Sequence, residues 1–261
     1  MPTATIYGAS IHYETQGEGP PIVFIHGLGG TSNVWHAQRI TLSRYFKIIV
    51  ADLTGSGRSD KTPRTYSLEQ WADDSAGLID HLQLDQAVVV GHSMGTAIVQ
   101  KFAARHPQKT KAIILAGALV ELGPPGKEAF AKRAEAVEKE GMIGVADAIL
   151  AGALSAGTRE RNPALTGMVR EMLLANDPKC YAGHCRALIQ GSARADQPNI
   201  KCPTLLVVGD QDPVTPLALQ RQIAAAIGQA RIRIVPNTAH LTMLECPEAF
   251  NAAVLEFLAT V

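Results

Sequence analysis

The sequence lacks an excess of charge of either sign, a cysteine framework and a long apolar run. Lys plus Arg and Asp plus Glu each number 24, so no overall field favours nucleic acid or an anionic membrane surface. The four cysteines, Cys180, Cys185, Cys202 and Cys246, include no C-x-x-C pair, which argues against a zinc ribbon, a redox pair or a disulfide scaffold. We therefore expect neither nucleic acid nor membrane as a partner.

The amino terminus also lacks the basic flank and the apolar run of a secretion signal. No stretch reaches the roughly 18 apolar residues that are needed to span a bilayer. A hydrophobic content of 46% in 261 residues is nevertheless enough for a sizeable core. We expect a cytoplasmic protein, a monomer or a homodimer, that acts on a small molecule.

Short apolar runs alternate along the chain with amphipathic segments of helical length, such as Leu68–Leu82 and Thr96–Arg105. The alternation predicts an α/β fold in which helices flank a mostly parallel sheet. An amino-terminal hairpin around Gly8 would add two antiparallel strands, for eight in all. The six predicted parallel strands are Ile22–Ile25, Ile48–Ala51, Ala87–Val90, Ala112–Leu115, Leu205–Val208 and Ile232–Val235.

The alternation is interrupted once, between about Glu121 and Asn199, where no strand-like run occurs. This stretch contains a Gly-Pro-Pro-Gly sequence at Gly123–Gly126, which we interpret as a turn, and a charged segment from Lys127 to Glu140 that predicts a helix. We expect residues 121–199 to form a helical cap over a core made of residues 1–120 and 200–261.

A G-x-S-x-G pattern at Gly91–Gly95 directly follows one predicted strand and precedes a predicted helix. In this strand–turn–helix context the pattern indicates a nucleophile, Ser93, on a sharp and strained turn, where the glycines avoid collisions with neighbouring backbone. The serine hydroxyl should then lie above the carboxyl end of the sheet. The N–H of Met94 should lie at the amino terminus of the helix, where the positive end of the dipole is available.

A serine nucleophile needs a base, and His240 is the expected one. It follows the last predicted strand through a short polar loop, which places it at the same edge of the sheet as Ser93. Of the other histidines after the serine, His106 ends a helix and faces away from that edge, and His184 lies in the cap.

The acid that orients the base is expected in the loop Gly209–Pro213, which holds two aspartates. Asp210 lies next to the strand and would brace the loop, whereas Asp212 can turn back towards the histidine. We therefore predict that Asp212 fixes the imidazole tautomer and stabilises the imidazolium.

Two glycine-rich stretches follow predicted strands, His26–Gly30 and Thr54–Arg58. The first lacks the Gly-Lys-Ser/Thr of a phosphate loop, and the second also lacks the third glycine of a dinucleotide fingerprint. We interpret both as loops that approach the active site closely. The N–H of Leu28 is expected to join that of Met94 in an oxyanion hole.

These segments together resemble the α/β-hydrolase superfamily over nearly the full length: HGLGG at 26–30, DLTGSGRSD at 52–60, GHSMG at 91–95, GDQDPVTP at 209–216 and the His240 loop. The spacing is most similar to the 3-oxoadipate enol-lactonases and related small-ester hydrolases. This resemblance implies a triad of Ser93, Asp212 and His240. Relatives that attack with a carboxylate, the haloalkane dehalogenases and epoxide hydrolases, would need aspartate at position 93.

The predicted reaction is hydrolysis of a small to medium, mostly apolar ester or lactone through an acyl-enzyme, with no metal and no organic cofactor. Candidate substrate-pocket residues are Gly29, Val214 and Leu241. A carbon–carbon bond hydrolase or a cofactor-free perhydrolase would use the same triad. A ligand-binding or receptor protein that has lost turnover is the alternative from another class.

Family members that act on anionic enol-lactones are expected to carry a cationic or aromatic clamp in the cap. Both tryptophans, Trp35 and Trp71, lie outside the predicted cap. The remaining candidates for a clamp are the cap arginines Arg133, Arg159, Arg161, Arg170, Arg186 and Arg194.

Overall fold

A computed structural model describes residues 2–61 and 65–261. In these ranges eight strands form one sheet with the order β1-β2-β4-β3-β5-β6-β7-β8. The strands are β1 (Thr3–Ile6), β2 (Ala9–Gln16), β3 (Pro21–Ile25), β4 (Lys47–Ala51), β5 (Ala87–His92), β6 (Thr110–Ala116), β7 (Thr204–Gly209) and β8 (Ala230–Val235). The β1–β2 hairpin pairs antiparallel with β4, and β3 to β8 run parallel. The predicted mostly parallel, eight-stranded sheet is confirmed.

Eleven α-helices accompany the sheet within the described ranges. They are α1 (His36–Leu42), α2 (Leu68–His81), α3 (Met94–Arg105), α4 (Pro124–Glu140), α5 (Ile143–Ala153), α6 (Ala156–Arg161), α7 (Pro163–Leu174), α8 (Pro178–Gln190), α9 (Leu217–Ile227), α10 (Thr242–Glu245) and α11 (Pro247–Leu258). None of these helices has the length and apolar character needed to cross a bilayer.

Helices α4 to α8 follow one another between β6 and β7, within residues 121–199, which we call the insert. A single antiparallel bridge between Glu121 and Ser192 joins its two ends. The turn predicted at Gly123–Gly126 is wrong, because Gly123 caps α4 and Pro124 is its first residue. Proline fits the first helical position, since the missing N–H would have no acceptor there.

Apolar side chains alternate between the two faces of the central strands, and both faces are covered. In β3, Val23 and Ile25 belong to a buried cluster with residues of α2, α3 and α9, whereas Ile22 and Phe24 belong to a second cluster with residues of α1 and α11. Burial on both faces explains why β5 and β7 read as continuous apolar runs.

The parallel direction of β3 to β8 places the loops that follow them at one edge of the sheet. Those loops carry Leu28 after β3, Ser93 after β5, Asp212 after β7 and His240 after β8. In open α/β sheets this carboxyl edge is where ligands bind. The fold therefore places the predicted site residues at one edge, although they are far apart in sequence.

The packing of the core leads to one prediction about the free energy of unfolding. Phe24 is fully buried, and its ring centroid lies 5.0 Å from that of Trp35. We expect Phe24→Ala to lower the free energy of unfolding by about 3–5 kcal/mol, since it leaves a cavity in a packed core. Urea titration measures this change. Tyr45→Ala, at a side chain that is 60% exposed, serves as control and should change the free energy by less than about 0.5 kcal/mol; equal losses in both variants would contradict this core assignment.

Candidate active site

Ser93 occupies the tight turn between β5 and α3, with φ 52° and ψ −119°. Such a left-handed conformation is strained for a residue with a side chain. The Ser93 N–H donates to the carbonyl of Ala116 at 3.0 Å and helps to hold the turn. A Cβ on Gly91 would lie 2.5 Å from the carbonyl oxygen of Gly95, and a Cβ on Gly95 would lie 2.6 Å from that of Ile25. The close approach of β5, α3 and β3 thus requires glycine on both sides of the serine.

The structure brings Asp212, and not Asp210, to His240. The Asp212 Oδ2 atom lies 2.8 Å from His240 Nδ1, and both side chains are buried. Asp210 is exposed, and its N–H donates to the carbonyl of Val235. The acid–base contact anticipated from the loop sequence is therefore made by the second of the two aspartates.

Several donors surround the buried Asp212 carboxylate. The N–H groups of Val214 and Thr215 donate to Oδ1 at 2.8 and 2.9 Å, and the hydroxyl of Thr215 donates to Oδ2 at 2.7 Å. Burial by itself would raise the pKa of Asp212, but the bonds from His240 and Thr215 outweigh it and hold that pKa well below its usual range. An ionised Asp212 accepts the Nδ1–H of His240, which leaves Nε2 free to take a proton.

Thr215 was missed by the sequence analysis. The signal for it lies in the GDQDPVTP segment, where a hydroxyl residue follows Asp212 by three positions and can bond back to it. Thr215 also lies near His240, with Oγ1 3.3 Å from the Nδ1 atom of that residue.

Ser93 and His240 line the same small cavity, of about 60 Å³. Within the described residues no hydrogen bond joins the Ser93 hydroxyl to the His240 ring. Catalytic hydrogen bonds are often long in enzymes without substrate and shorten when substrate binds. Transfer of a proton between these two side chains therefore stays a prediction.

His92, the residue before the serine, contacts the backbone of His240. Its Nε2 atom lies 3.0 Å from the His240 carbonyl oxygen, and the two rings are 4.7 Å apart. Burial lowers the pKa of His92 to about 3, so the ring is neutral at pH 7 and Nε2 donates to that carbonyl. The middle positions of G-x-S-x-G carry no local signal for such a contact, and the sequence analysis missed it.

Of the two predicted oxyanion donors, one begins the helix after the serine and the other lies in the loop after β3. Met94 is the first residue of α3, so its N–H has no acceptor within the helix. In the loop after β3, the turn is closed by a bond from the Gly30 N–H to the Gly27 carbonyl and does not use the N–H of Leu28. A Cβ on Gly27 would lie only 3.1 Å from that of Ser93. The assignment of both N–H groups to an oxyanion hole remains a prediction.

The cavity has an apolar wall from the insert and a mixed wall from the core. Helices α5 and α7 supply Ile149, Ala153, Val169, Met172 and Leu173, and the core supplies Gly27, Leu28, Gly30, Val34, His92, Ser93, His240 and Leu241. No Lys, Arg, Asp or Glu is among these described lining residues.

The three candidate pocket residues lie in different places. Leu241 is on the cavity wall, but Gly29 and Val214 are not among its lining residues. Gly29 faces the side chains of Leu173 and Tyr181. Val214 is 49% exposed beside Gly152. Both residues lie in loops that follow strands, and the sequence does not specify which way such a loop turns.

The second glycine-rich loop, which we interpreted as approaching the active site closely, is not among the residues that line the cavity at Ser93. Gly55 lies against His184 and Tyr66, and Gly57 lies against the carboxylate of Asp52. His184 is buried, with Nε2 3.1 Å from the Thr54 carbonyl oxygen. This loop therefore packs on α8 of the insert at Gly55, whereas Gly57 leaves room for the Asp52 carboxylate.

His106 and the six cap arginines lie outside the cavity. His106 ends α3 and contacts Asp73 at 2.9 Å. Three of the arginines form ion pairs, Arg170 with Asp147, Arg186 with Glu138 and Arg194 with Glu121. The guanidinium of Arg133 lies over the ring of Phe130. None of the six lines the described cavity wall.

Comparisons with known proteins agree with this fold. A model of the alpha/beta hydrolase family matches residues 22–253. The 3-oxoadipate enol-lactonase 2 of Acinetobacter baylyi is 28% identical over 97% of this chain and 94% of its own length. The crystal structure of the enol-lactonase from Burkholderia xenovorans, 32% identical, covers 99% of this chain and 100% of its own with a TM-score of 0.94. The structure of a thermophilic esterase from Thermogutta terrifontis is 30% identical to this chain. The match covers 99% of this chain and 96% of the esterase, with a TM-score of 0.93.

Because His92 is buried and neutral, we expect the free energy of unfolding to depend on pH. The unfolded chain protonates this histidine near pH 6.5, whereas the folded protein keeps it neutral down to about pH 3. Between these values the unfolded state binds more protons, so the free energy of unfolding falls as the pH falls. We expect the loss between pH 7 and pH 5 to be about 1–2 kcal/mol smaller in His92→Gln, which keeps a donor for the His240 carbonyl but does not titrate.

Urea titration at the two pH values measures this difference. His36→Gln, at an exposed histidine, is the control and should retain the loss of the parent protein. An unchanged loss in His92→Gln would show that His92 does not remain neutral in the folded protein.

Proposed function

The chain belongs to the alpha/beta hydrolase family, and from this premise we propose that it is a serine hydrolase that cleaves short, uncharged carboxylic esters or lactones. The observation that carries the proposal is the 2.8 Å contact between buried Asp212 and His240, at a cavity that Ser93 also lines. A nucleophile, a base and an orienting acid at one cavity are the groups that acyl transfer requires.

In the first half of the proposed reaction, Ser93 Oγ attacks the carbonyl carbon while its proton passes to His240 Nε2. The N–H groups of Leu28 and Met94 bind the oxyanion, and ionised Asp212 stabilises the imidazolium. His240 then gives the proton to the leaving alkoxide, which departs as the alcohol. In the second half, His240 takes a proton from water while the hydroxide attacks the acyl-enzyme; the bond to Ser93 Oγ then breaks, His240 returns the proton to that oxygen, and the acid is released.

The size of the cavity supports a short acyl group. The space within it that the centre of a water-sized group can reach is only about 60 Å³, so a short acyl chain fits this cavity better than a long one. Its described lining is apolar apart from the catalytic groups, which favours an uncharged acyl group because a buried carboxylate without a partner is costly. The lining thus lacks the cationic clamp expected for anionic enol-lactones.

The proposal includes a cap formed by residues 121–199. Helices α5 and α7 of this insert provide one wall of the cavity, opposite Ser93 and His240. Substrate would bind between the insert and the carboxyl edge of the sheet, where the core formed by residues 1–120 and 200–261 supplies the reacting groups.

Hydrolysis of p-nitrophenyl esters tests the proposal. We expect kcat/KM to be highest for acetate to butyrate and to fall at least about tenfold for octanoate, whose chain exceeds the cavity. The succinate half-ester matches butyrate in chain length but carries a carboxylate, and it should react more slowly than butyrate. Initial rates of nitrophenol release measure both effects.

Ser93→Ala is the control for this panel and should abolish enzymatic release. Retained activity in that variant would refute the assignment of the nucleophile. A burst of one nitrophenol per protein without steady-state turnover would instead favour a binding protein that has kept the fold.

The two aspartates of the loop after β7 give a matched pair of variants. Asp212→Asn should lower kcat by about 10⁴-fold, as loss of the orienting aspartate does in serine proteases. Asp210→Asn should have little effect, since Asp210 is exposed and does not contact His240. Steady-state kinetics on p-nitrophenyl acetate measures both, and a larger loss in Asp210→Asn would reverse the assignment.

A further inference from the structure

The two residues that flank His240 are both connected to the insert. The Leu241 N–H donates to the Ala153 carbonyl at 3.0 Å. The Ala239 N–H donates to Glu245 Oε1 at 2.7 Å, and the other carboxylate oxygen of Glu245 accepts the Ser155 N–H at 3.0 Å. The loop of the predicted base is therefore attached to the junction of α5 and α6 on both sides of the histidine.

One carboxylate thus joins two parts of the chain that are 90 residues apart. Glu245 is the last residue of α10, and its side chain bonds backbone N–H groups in both parts. Bonds from N–H groups to an ionised carboxylate are stronger than those between neutral groups. Ser155 is buried, and Ala153, two residues before it, lies on the cavity wall.

We propose that Glu245 is a positioning residue that couples the insert to His240, so that the base is aligned with Ser93 only while the α5–α6 junction is in place. The inference rests on the proposed function. A base displaced by about 1 Å loses on the order of 100-fold in rate, and Glu245 fixes the residue next to the base. Glu245 thereby acts through His240 and not on substrate.

Labelling with a fluorophosphonate tests the alignment of His240 with Ser93 and does not require that the natural substrate be known. Ser93 Oγ forms a bond to phosphorus, fluoride leaves, and the serine proton passes to His240, so the rate of labelling depends on both groups. We expect Glu245→Ala to slow labelling by at least about tenfold. Glu160→Gln, at an exposed acid of the insert, is the control and should label at the rate of the parent protein.

Ser155 offers a second test that isolates one hydrogen bond. Its φ of −60° suits proline, and Leu154 before it is extended, as a residue before proline prefers. Ser155→Pro removes the N–H that Glu245 accepts. Ser155→Ala keeps that N–H and loses only the hydroxyl, which accepts from the Thr158 N–H. Comparison of the two variants separates the bond to Glu245 from the helix cap.

We expect Ser155→Pro to label about three- to tenfold more slowly than Ser155→Ala, at melting temperatures that differ by only a few degrees. With p-nitrophenyl acetate the loss should be in kcat, while KM changes less than about twofold, because the base and not the acyl site is displaced. A loss confined to KM would contradict a positioning role.

The outcomes for the inference and for the proposed function are distinct. Labelling of the parent protein at Ser93, with Glu245→Ala and Ser155→Pro as fast as their controls, would overturn the inference and leave the function intact. A parent protein that is not labelled, or a Ser93→Ala variant that is labelled equally, would overturn the proposed function. Glu245→Gln, which keeps the side-chain size, replaces Glu245→Ala if the latter does not fold, and should lose part of the rate.

Discussion

The left-handed turn at Ser93 is the constraint on which the site depends. A side chain held at φ 52° is strained, and the strain is offset by backbone that packs tightly around it. The turn brings β5, α3 and the loop after β3 so close together that Gly91, Gly95 and Gly27 have little or no room for a Cβ. The same turn places His92 under the His240 backbone and Ser93 on the cavity.

The electrostatics of the site centre on one buried charge. Asp212 stays ionised because His240, Thr215 and two backbone N–H groups donate to it. His92, which contacts His240, is neutral at pH 7, and the described cavity wall carries no Lys, Arg, Asp or Glu. In such a medium of low dielectric, an oriented carboxylate and oriented N–H groups act more strongly than they would in water.

The insert does more than cover the cavity. In the loop after β3, the Gly29 carbonyl accepts from the Asn176 amide of the insert at 3.0 Å. On the side of the base, Ala153 and Ser155 bond the His240 loop and Glu245. Both loops that carry predicted catalytic groups thus contact the same insert. Movement of the insert would therefore alter the spacing of these two loops.

The sequence by itself determined the order of strands and helices, the turn at Ser93 and the loops that hold Asp212 and His240, because apolar periodicity and turn chemistry act over a few residues. The turn predicted from the sequence at Gly123–Gly126 is instead the start of α4, because proline and glycine occur at helix starts as well as in turns. Only the tertiary structure decided that His92 bonds the His240 carbonyl, that Glu245 bonds Ser155, and that the loop at 54–58 packs on His184. These partners lie 90 to 148 residues apart, and contacts at such separations are set by how whole elements pack.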